Sequence, residues 1–168
     1  MLEVHIKGDN MKISVMVLGL LLFFVSCSSQ KMIEGTSVKD TDDNRVIYDI
    51  MMKYNKNLEE KNVDALMKLV SNRYYDGMGT IDSSDDYGYS QLRDILEKRF
   101  AQIKEIFQII KVKKIIHNKS NKHYYVVYQY DAKFLMNIEG NEKWHKKIDT
   151  NQITLVKEGK EFKIIKGL

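Results

Sequence analysis

The short turns between strand-like segments in the C-terminal part of the chain are the feature that most constrains its fold. After Ile106 the sequence becomes rich in β-branched and aromatic residues, and short runs containing Asn, Gly or Ser interrupt it. These interruptions separate strand-like segments at residues 107–118, 123–137, 144–157 and 161–166. Strands joined by such short turns pair antiparallel, because a parallel pair needs a crossover of roughly a dozen residues or more. The sequence therefore predicts an antiparallel meander.

Apolar residues at helical spacing precede these strands. The first set predicts a helix that Asp43 or Asn44 caps, with its apolar face formed by Val46, Ile47, Ile50, Met51, Tyr54 and Leu58. We expect Asn62 to cap a second, shorter helix, and residues 74–89, which are rich in Gly, Ser and Asp, to form a long loop. A third helix is predicted to begin near Ser90, with one face formed by Leu92, Ile95, Leu96, Phe100 and Ile103. Three helices followed by an antiparallel meander predict an α+β fold, in which the N-terminal helices pack on a curved antiparallel sheet.

Alternation along the second strand predicts which side of the sheet the helices cover. One side is apolar with phenolic hydroxyls and consists of Tyr124, Val126, Tyr128, Tyr130, Ala132, Phe134 and Met136. The other side is mixed and consists of Tyr125, Val127, Gln129, Asp131 and Lys133. Because successive side chains of a strand point to opposite faces, the first set is expected to face the helices.

The N-terminal region is typical of an exported precursor. Lys12 is followed by an apolar run over residues 13–25, which is shorter than the roughly 20 residues needed to span a bilayer. The sequence Phe24-Val25-Ser26-Cys27 resembles the lipobox of bacterial lipoproteins, although Phe24 stands where Leu is usual. We therefore predict a signal peptide at residues 1–26, in which residues 1–10 form an upstream mis-start before Met11.

Cys27 is the single cysteine of the chain, and lipidation would consume its thiol. Residues 27–42 are mostly polar and lack periodicity, so they are expected to form a flexible tether ahead of a folded domain at 43–168. The protein is accordingly predicted to be exported and anchored by lipid to the cell membrane or to an outer membrane.

The charge of the chain disfavours nucleic-acid binding. There are 27 Lys and Arg residues against 23 Asp and Glu residues, which gives a formal net charge of +4. The lysines alternate with apolar and acidic residues, whereas nucleic-acid binders concentrate basic residues on one face. No nucleic-acid partner is expected.

Two segments carry a resemblance to a known superfamily. Residues 54–71 (YNKNLEEKNVDALMKLVS) are similar to the helix, polar turn and second helix that open nuclear transport factor 2-like domains, and residues 158–165 (EGKEFKII) are similar to their last strand. That superfamily includes ketosteroid isomerase and the SnoaL-like polyketide cyclases. The resemblance implies a cone-shaped α+β barrel, in which a curved sheet wraps round the helices and leaves a pocket at the open end.

The resemblance also allows a test of catalysis. It places Tyr54 at the oxyanion tyrosine of ketosteroid isomerase, Met78 at the position of the base and Gln152 near that of the acid. Methionine cannot accept a proton, although Asp76 lies two residues away. This pattern favours a non-catalytic module that binds a small ligand or a partner. The alternative is an envelope isomerase, dehydratase or cyclase that uses an inward Asp76, His117 or Asp131.

Tyrosines suggest the kind of ligand. A phenol combines apolar area with a hydrogen-bonding tip, which suits a small hydrophobic molecule with polar groups. The predicted pocket residues are Tyr54, Tyr74, Met78, Tyr124, Tyr128 and Tyr130. Pairing of two copies through the outer sheet face is a further expectation, with a predicted surface of Tyr125, Val127, Gln129 and His145.

Metal ligands and cofactor motifs are not indicated. His117 and His123 flank a turn, and no carboxylate pair stands at a spacing that would complete a metal site with them. The loop at residues 76–86 is rich in carboxylates, but its spacing is not that of an EF-hand. We therefore expect neither a metal nor a cofactor.

Overall fold

The computed structural model describes residues 31–77, 83–138 and 140–168. The predicted signal peptide, Cys27 and Met78 therefore lie outside the described residues. In the described part of the chain, no helix is both long and apolar enough to cross a membrane.

The described residues form helices followed by an antiparallel meander, which confirms the predicted α+β class. The helices are α1 (Asp42–Glu59), α2 (Val63–Leu69) and α3 (Tyr89–Ala101). Two short strands, β1 (Tyr75–Asp76) and β2 (Tyr87–Gly88), pair with each other between α2 and α3, and Ser83–Asp85 forms a 3₁₀ turn there. The main sheet has the order β3 (Ile103–Asn118), β4 (His123–Ile138), β5 (Asn141–Glu158) and β6 (Glu161–Lys166).

Helix boundaries differ slightly from those predicted. The N-cap of α1 is Thr41, whose hydroxyl accepts from Asn44 N at 3.2 Å, so Asp43 is in the first turn. Asn62 caps α2 as predicted, because its side chain accepts from Ala65 N at 3.0 Å. Ile103 does not belong to α3 but begins β3, where it pairs with Met136.

Register shifts curve the sheet around the helices. Two lie in the β3–β4 pairing, between Ile103 and Glu105 and between Val112 and Lys114, and a third lies in the β5–β6 pairing between Thr154 and Leu155. An extra residue in one strand bends that strand and increases the local twist. The β4–β5 pairing runs without a shift from His123↔Val156 to Ile138↔Asn141.

The predicted inner face of β4 is the face that packs against the helices. Tyr124, Val126, Tyr128 and Ala132 are buried, whereas Asp131 and Lys133 on the other face are exposed. The core beneath this face includes fully buried side chains from helices and strands, namely Ile47, Met51, Leu66, Leu92, Ile153, Leu155 and Ile164.

Residues 31–41, which composition predicts to be part of the tether, form a compact turn against the domain. Ile33 N donates to Val38 O at 2.9 Å, and Asp40 N donates to Lys31 O at 2.8 Å. Ser37 Oγ donates to the carbonyl of Lys113 in β3 at 3.0 Å. Val38 is only 3% exposed and belongs to the core. The folded body therefore extends to Lys31.

We predict that Val38→Ala lowers the free energy of unfolding by about 2 kcal/mol, because it removes two buried methyl groups and leaves a cavity. Urea denaturation followed by circular dichroism measures the change. Val46→Ala is the matched control, since Val46 is 44% exposed on α1 and its truncation should have almost no effect. Equal effects of the two substitutions would show that Val38 does not pack in the core.

Candidate ligand-binding site

A cavity of about 380 Å³ lies between the helices and the concave face of the sheet. Its walls are largely apolar and come from α1, α2, α3, β3, β4 and β5. The apolar lining residues are Leu58, Leu66, Leu96, Phe100, Ile103, Ile106, Ala132 and Phe134. The polar lining residues are Tyr54, Arg99, Gln108, Tyr128, Tyr130, Lys147 and Asn151, and Leu168 also lines the cavity.

A packed pair of tyrosines forms part of the cavity lining. The rings of Tyr54 and Tyr128 meet edge to face with centroids 6.3 Å apart. Asn151 Nδ2 approaches the Tyr128 hydroxyl oxygen at 3.5 Å. Burial raises the pKa of Tyr54 and of Tyr128, so both phenols are neutral donors at physiological pH.

Gln108 is held in place by α1. Its Nε2 donates to Asn55 Oδ1 at 3.0 Å, and Asn55 Nδ2 donates back to the Gln108 carbonyl at 3.0 Å. The main-chain nitrogen of Gln108 donates to Glu59 Oε1 at 2.8 Å. These three bonds fix β3 against α1 at the cavity wall.

Two cations stand where the cavity meets a neighbouring cleft. Arg99 of α3 and Lys147 of β5 line both spaces, as do Asn151 and Leu168. Arg99 Nη1 approaches the main-chain oxygen of Leu168 at 3.5 Å, and its guanidinium lies 6.0 Å from the centre of the Tyr87 ring. Both cationic side chains are exposed, so they form the boundary between the cavity and solvent.

Asp76 lines the neighbouring cleft and does not line the cavity itself. Its buried carboxylate accepts from the Tyr74 hydroxyl at 3.2 Å and from Gly167 N at 3.0 Å. An added Cβ on Gly167 would lie 2.3 Å from the Gln152 carbonyl oxygen, so this strand end requires glycine. These contacts give Asp76 a structural role in joining β1 to the residues after β6.

The other proposed carriers of acid–base chemistry are remote from the cavity. Asp131 projects from the convex face of the sheet and lies 3.5 Å from Lys146 Nζ. The His117 ring stacks on Tyr124 with centroids 4.2 Å apart, next to the β3–β4 turn. Within the described ranges, no group of three His, Cys, Asp or Glu residues is arranged to hold a metal ion.

The structure brings together only some of the predicted pocket residues. Tyr54, Tyr128 and Tyr130 line the cavity, whereas Tyr74 and Tyr124 do not. Tyr74 packs against Tyr87 with ring centroids 6.0 Å apart, and burial raises its pKa. The Tyr124 hydroxyl donates to Asp43 Oδ2 at 2.7 Å at the other end of the domain. Its pKa is raised to about 12, by burial and by this carboxylate.

The register of the β4–β5 pairing shows that two further residues lie on a different face of the sheet from the one predicted. Gln152, predicted near the acid position of the oxyanion hole, pairs with Val127 and therefore lies on the convex face, while the adjacent Asn151 pairs with Tyr128 and faces inward. His145, predicted on the outer face, pairs with Phe134 on the concave face, and the two rings stack with centroids 6.2 Å apart. His145 does not line the cavity.

The sequence prediction did not include Arg99, Lys147 or Asn151. Arg99 stands at helical spacing from Ile95 and Leu96 and immediately before Phe100, and Lys147 belongs to the run Lys143–Lys147 of mostly polar residues. Charged residues in such settings are usually solvated. Counting the β4–β5 register back from a tight turn at Gly140 would have placed Lys147 and Asn151 on the inner face.

Comparison with solved structures identifies the architecture. A ketosteroid isomerase-like protein from Erwinia carotovora atroseptica superposes with a TM-score of 0.63 at 11% identity, covering 76% of this chain and 95% of that one. A conserved protein from Planctomyces limnophilus superposes with a TM-score of 0.61 at 10% identity, covering 74% of this chain and 92% of that one. A hexachlorocyclohexane dehydrochlorinase of type 2 superposes with a TM-score of 0.61 at 11% identity, covering 74% of this chain and 82% of that one.

These similarities show the fold. The described chain has the nuclear transport factor 2-like architecture that the resemblance predicted, and this architecture does not by itself determine a function. No protein-family model matches the sequence, and no curated protein matches it significantly.

Proposed function

We propose that this chain is a bacterial lipoprotein, anchored through lipid on Cys27 to the cell membrane or an outer membrane, whose cone cavity binds a small hydrophobic molecule with polar groups. The support for the anchor is the sequence of residues 12–27: a basic residue, a short apolar run and a small residue before the single cysteine. The support for the ligand is the cavity. The proposed role is binding without chemical conversion.

The observation that carries the binding proposal is the combination of apolar walls and hydrogen-bond donors in one cavity. A volume of about 380 Å³ is within the range of roughly 300–1,000 Å³ typical of small-molecule sites. Tyr54, Tyr128 and Asn151 supply hydrogen-bonding groups beside the eight apolar residues of the lining. Such a lining orients the polar group of a ligand whose body is hydrophobic.

The alternative is an envelope isomerase, dehydratase or cyclase. It would need a proton acceptor beside the ligand, and Asp76 is the candidate nearest to the cavity, in the adjoining cleft. The Asp76 carboxylate accepts hydrogen bonds from the Tyr74 hydroxyl and from Gly167 N, and it does not line the cavity that Tyr54 lines. These contacts favour the binding role over catalysis.

We predict that Cys27→Ala moves the protein from the membrane fraction to the soluble fraction of the producing cell, or leaves it as an uncleaved precursor. The reason is that lipid attachment and the cleavage that follows it require the thiol. Membrane fractionation and the intact mass of the mature protein measure the effect. A wild-type protein that lacks a lipid mass increment on Cys27 would contradict the anchor proposal.

We predict that Ala132→Phe abolishes binding of N-phenyl-1-naphthylamine, a neutral hydrophobic probe, because the larger ring fills the cavity. Ala132 is buried and lines the cavity on β4. Probe fluorescence with the full chain in phosphatidylcholine nanodiscs, corrected with empty discs, measures affinity. Thr150→Phe on the convex face is the control and should bind like the wild type. No binding by the wild type, or equal binding by both variants, would oppose the proposal.

We also propose that two copies pair through the convex sheet face. Exposed apolar side chains gather there at the open end of the sheet, with Phe107 at 56% exposure and Trp144 at 49%. Their rings stack with centroids 5.8 Å apart, and Ile109 and Ile148 flank Asp131 in the next row. Such a patch favours burial, and the mixture of Lys133, Lys146 and Asp131 suits a self-complementary two-fold contact.

We expect Trp144→Glu to convert a dimer into a monomer, because it places a charge in the centre of this patch. Sedimentation velocity of the nanodisc-free protein in a mild detergent, with the detergent mass subtracted, measures the assembly state. Tyr89→Glu is the control, since Tyr89 is a half-exposed aromatic residue on α3 away from the sheet face. A monomeric wild type would refute the pairing.

A further inference from the structure

Basic side chains gather around a surface cleft at the end of the sheet that carries the β3–β4 turn. The described lining includes four cations and two histidines, and it contains no carboxylate; these residues are Arg73, Lys119, Lys122, Lys157, His117 and His123. The opposite end of the sheet, about 50 Å away along β4, carries the exposed rings of Phe107 and Trp144. The cleft is therefore separate from that apolar patch and from the cavity.

Positive charge at this end exceeds the negative charge that faces it. Each of four carboxylates here is paired with a cation, and the pairs are Arg73–Glu158, Lys157–Asp43, Lys163–Glu161, and Asp40 with both Lys31 and Arg45. In the described part of the chain, no carboxylate lies within ion-pair distance of Lys119 or Lys122. The other residues here without such a partner are Lys39, Lys113, Lys114 and Lys160 on the positive side, and Glu34, Asp42 and Asp49 on the negative side.

The β3–β4 turn holds the two unpaired lysines of the cleft in position. Asn118 Oδ1 accepts from Ser120 N and Asn121 Oδ1 accepts from His123 N, each at 3.0 Å. Lys122 has a φ of 58°, in the left-handed region that asparagine and glycine adopt more readily than lysine. Both lysines are exposed, so the turn presents their ammonium groups to whatever lies beyond this end of the domain.

The chain enters the domain at this same end. Ser37 Oγ donates to the carbonyl of Lys113 in the last part of β3, at 3.0 Å. Asp43, in the first turn of α1, pairs with Lys157 of the cleft. The ordered turn that contains Ser37 begins only four residues after Cys27. If Cys27 carries the proposed lipid, the basic end is the part of the domain next to the bilayer.

We propose that this basic end is a second membrane contact, at which Lys119 and Lys122 bind the phosphates of anionic lipid headgroups. The inference rests on the proposed lipid anchor and adds an electrostatic contact to it. Lysines close to an anionic bilayer are attracted to it, and the attraction decays within a Debye length, so that the end nearest the bilayer contributes most. The contact turns the β3–β4 turn towards the lipid and the opposite end of the sheet away from it.

The test measures how close this turn lies to the headgroups. Mature lipidated protein carrying Ser120→Cys is labelled with a fluorophore in nanodiscs of phosphatidylcholine, with or without one-third phosphatidylglycerol. Both discs contain the same amount of a lipid with a nitroxide quencher on its headgroup. We expect about twofold stronger quenching in the anionic discs, because their charge attracts the lysines. The excess should disappear as the salt concentration rises from about 0.05 M to about 0.5 M. A label on Asn141→Cys, at the opposite end of β4, should show no such excess.

Variants identify the lysines that are responsible. Lys119→Gln combined with Lys122→Asn should remove the excess quenching in anionic discs. Asparagine adopts a positive φ more readily than lysine, so thermal unfolding of this variant should occur at the wild-type temperature or above it. Lys98→Gln combined with Lys143→Gln is the matched control, since both lysines are exposed and lie outside the cleft lining, and it should keep the excess.

The outcomes separate this inference from the anchor proposal. Equal quenching in neutral and anionic discs, or an excess that survives the substitution of Lys119 and Lys122, would overturn the second contact and leave the anchor in place. Loss of the excess on addition of inorganic phosphate at constant ionic strength would indicate a site for a small anion and would overturn the membrane assignment. An intact mass with two labels would show a free Cys27 thiol and would overturn the anchor itself.

Discussion

The unbroken pairing of β4 with β5 determines which side chains reach the cavity. Because its register has no shift over the whole length of both strands, every inward residue of β4 has an inward partner on β5. Tyr128 thus stands beside Asn151, and Ala132 beside Lys147. A shift of one residue would send Gln152 inward and Asn151 outward, and the polar group next to the tyrosine pair would change.

The cavity follows from a difference in length between the two layers. Helix α1 has 18 residues and spans about 27 Å, whereas β4 has 16 residues and spans about 50 Å. The helices cannot cover the whole concave face, so the core is solid around Val126 and Ile153 and opens towards Ala132 and Phe134. Because the helices lie on the concave face, apolar residues of the convex face, such as Phe107 and Trp144, stay exposed to water.

Much of this architecture could be predicted because it depends on local sequence. Short turns identify the meander, and alternation along β4 identifies its buried face without knowledge of any neighbour. The candidate site was harder to predict from the sequence, because it depends on pairing between strands and on loops. Gln152 and His145 were predicted on the wrong faces because their orientation follows the register of β5. Tyr74 packs against Tyr87 instead of lining the cavity, because β1 and β2, two very short strands, pair beside it.

If Cys27 carries the proposed lipid, the turn at residues 31–41 limits how far the domain lies from the membrane. Lys31 is only four residues beyond Cys27, and four residues of extended chain reach at most about 14 Å. With a lipid on Cys27, the folded domain would therefore lie close to the lipid headgroups, because the linker between them would be short. Because Val38 packs in the core and Ser37 bonds to β3, the point at which such an anchor joins the domain would be fixed beside β3.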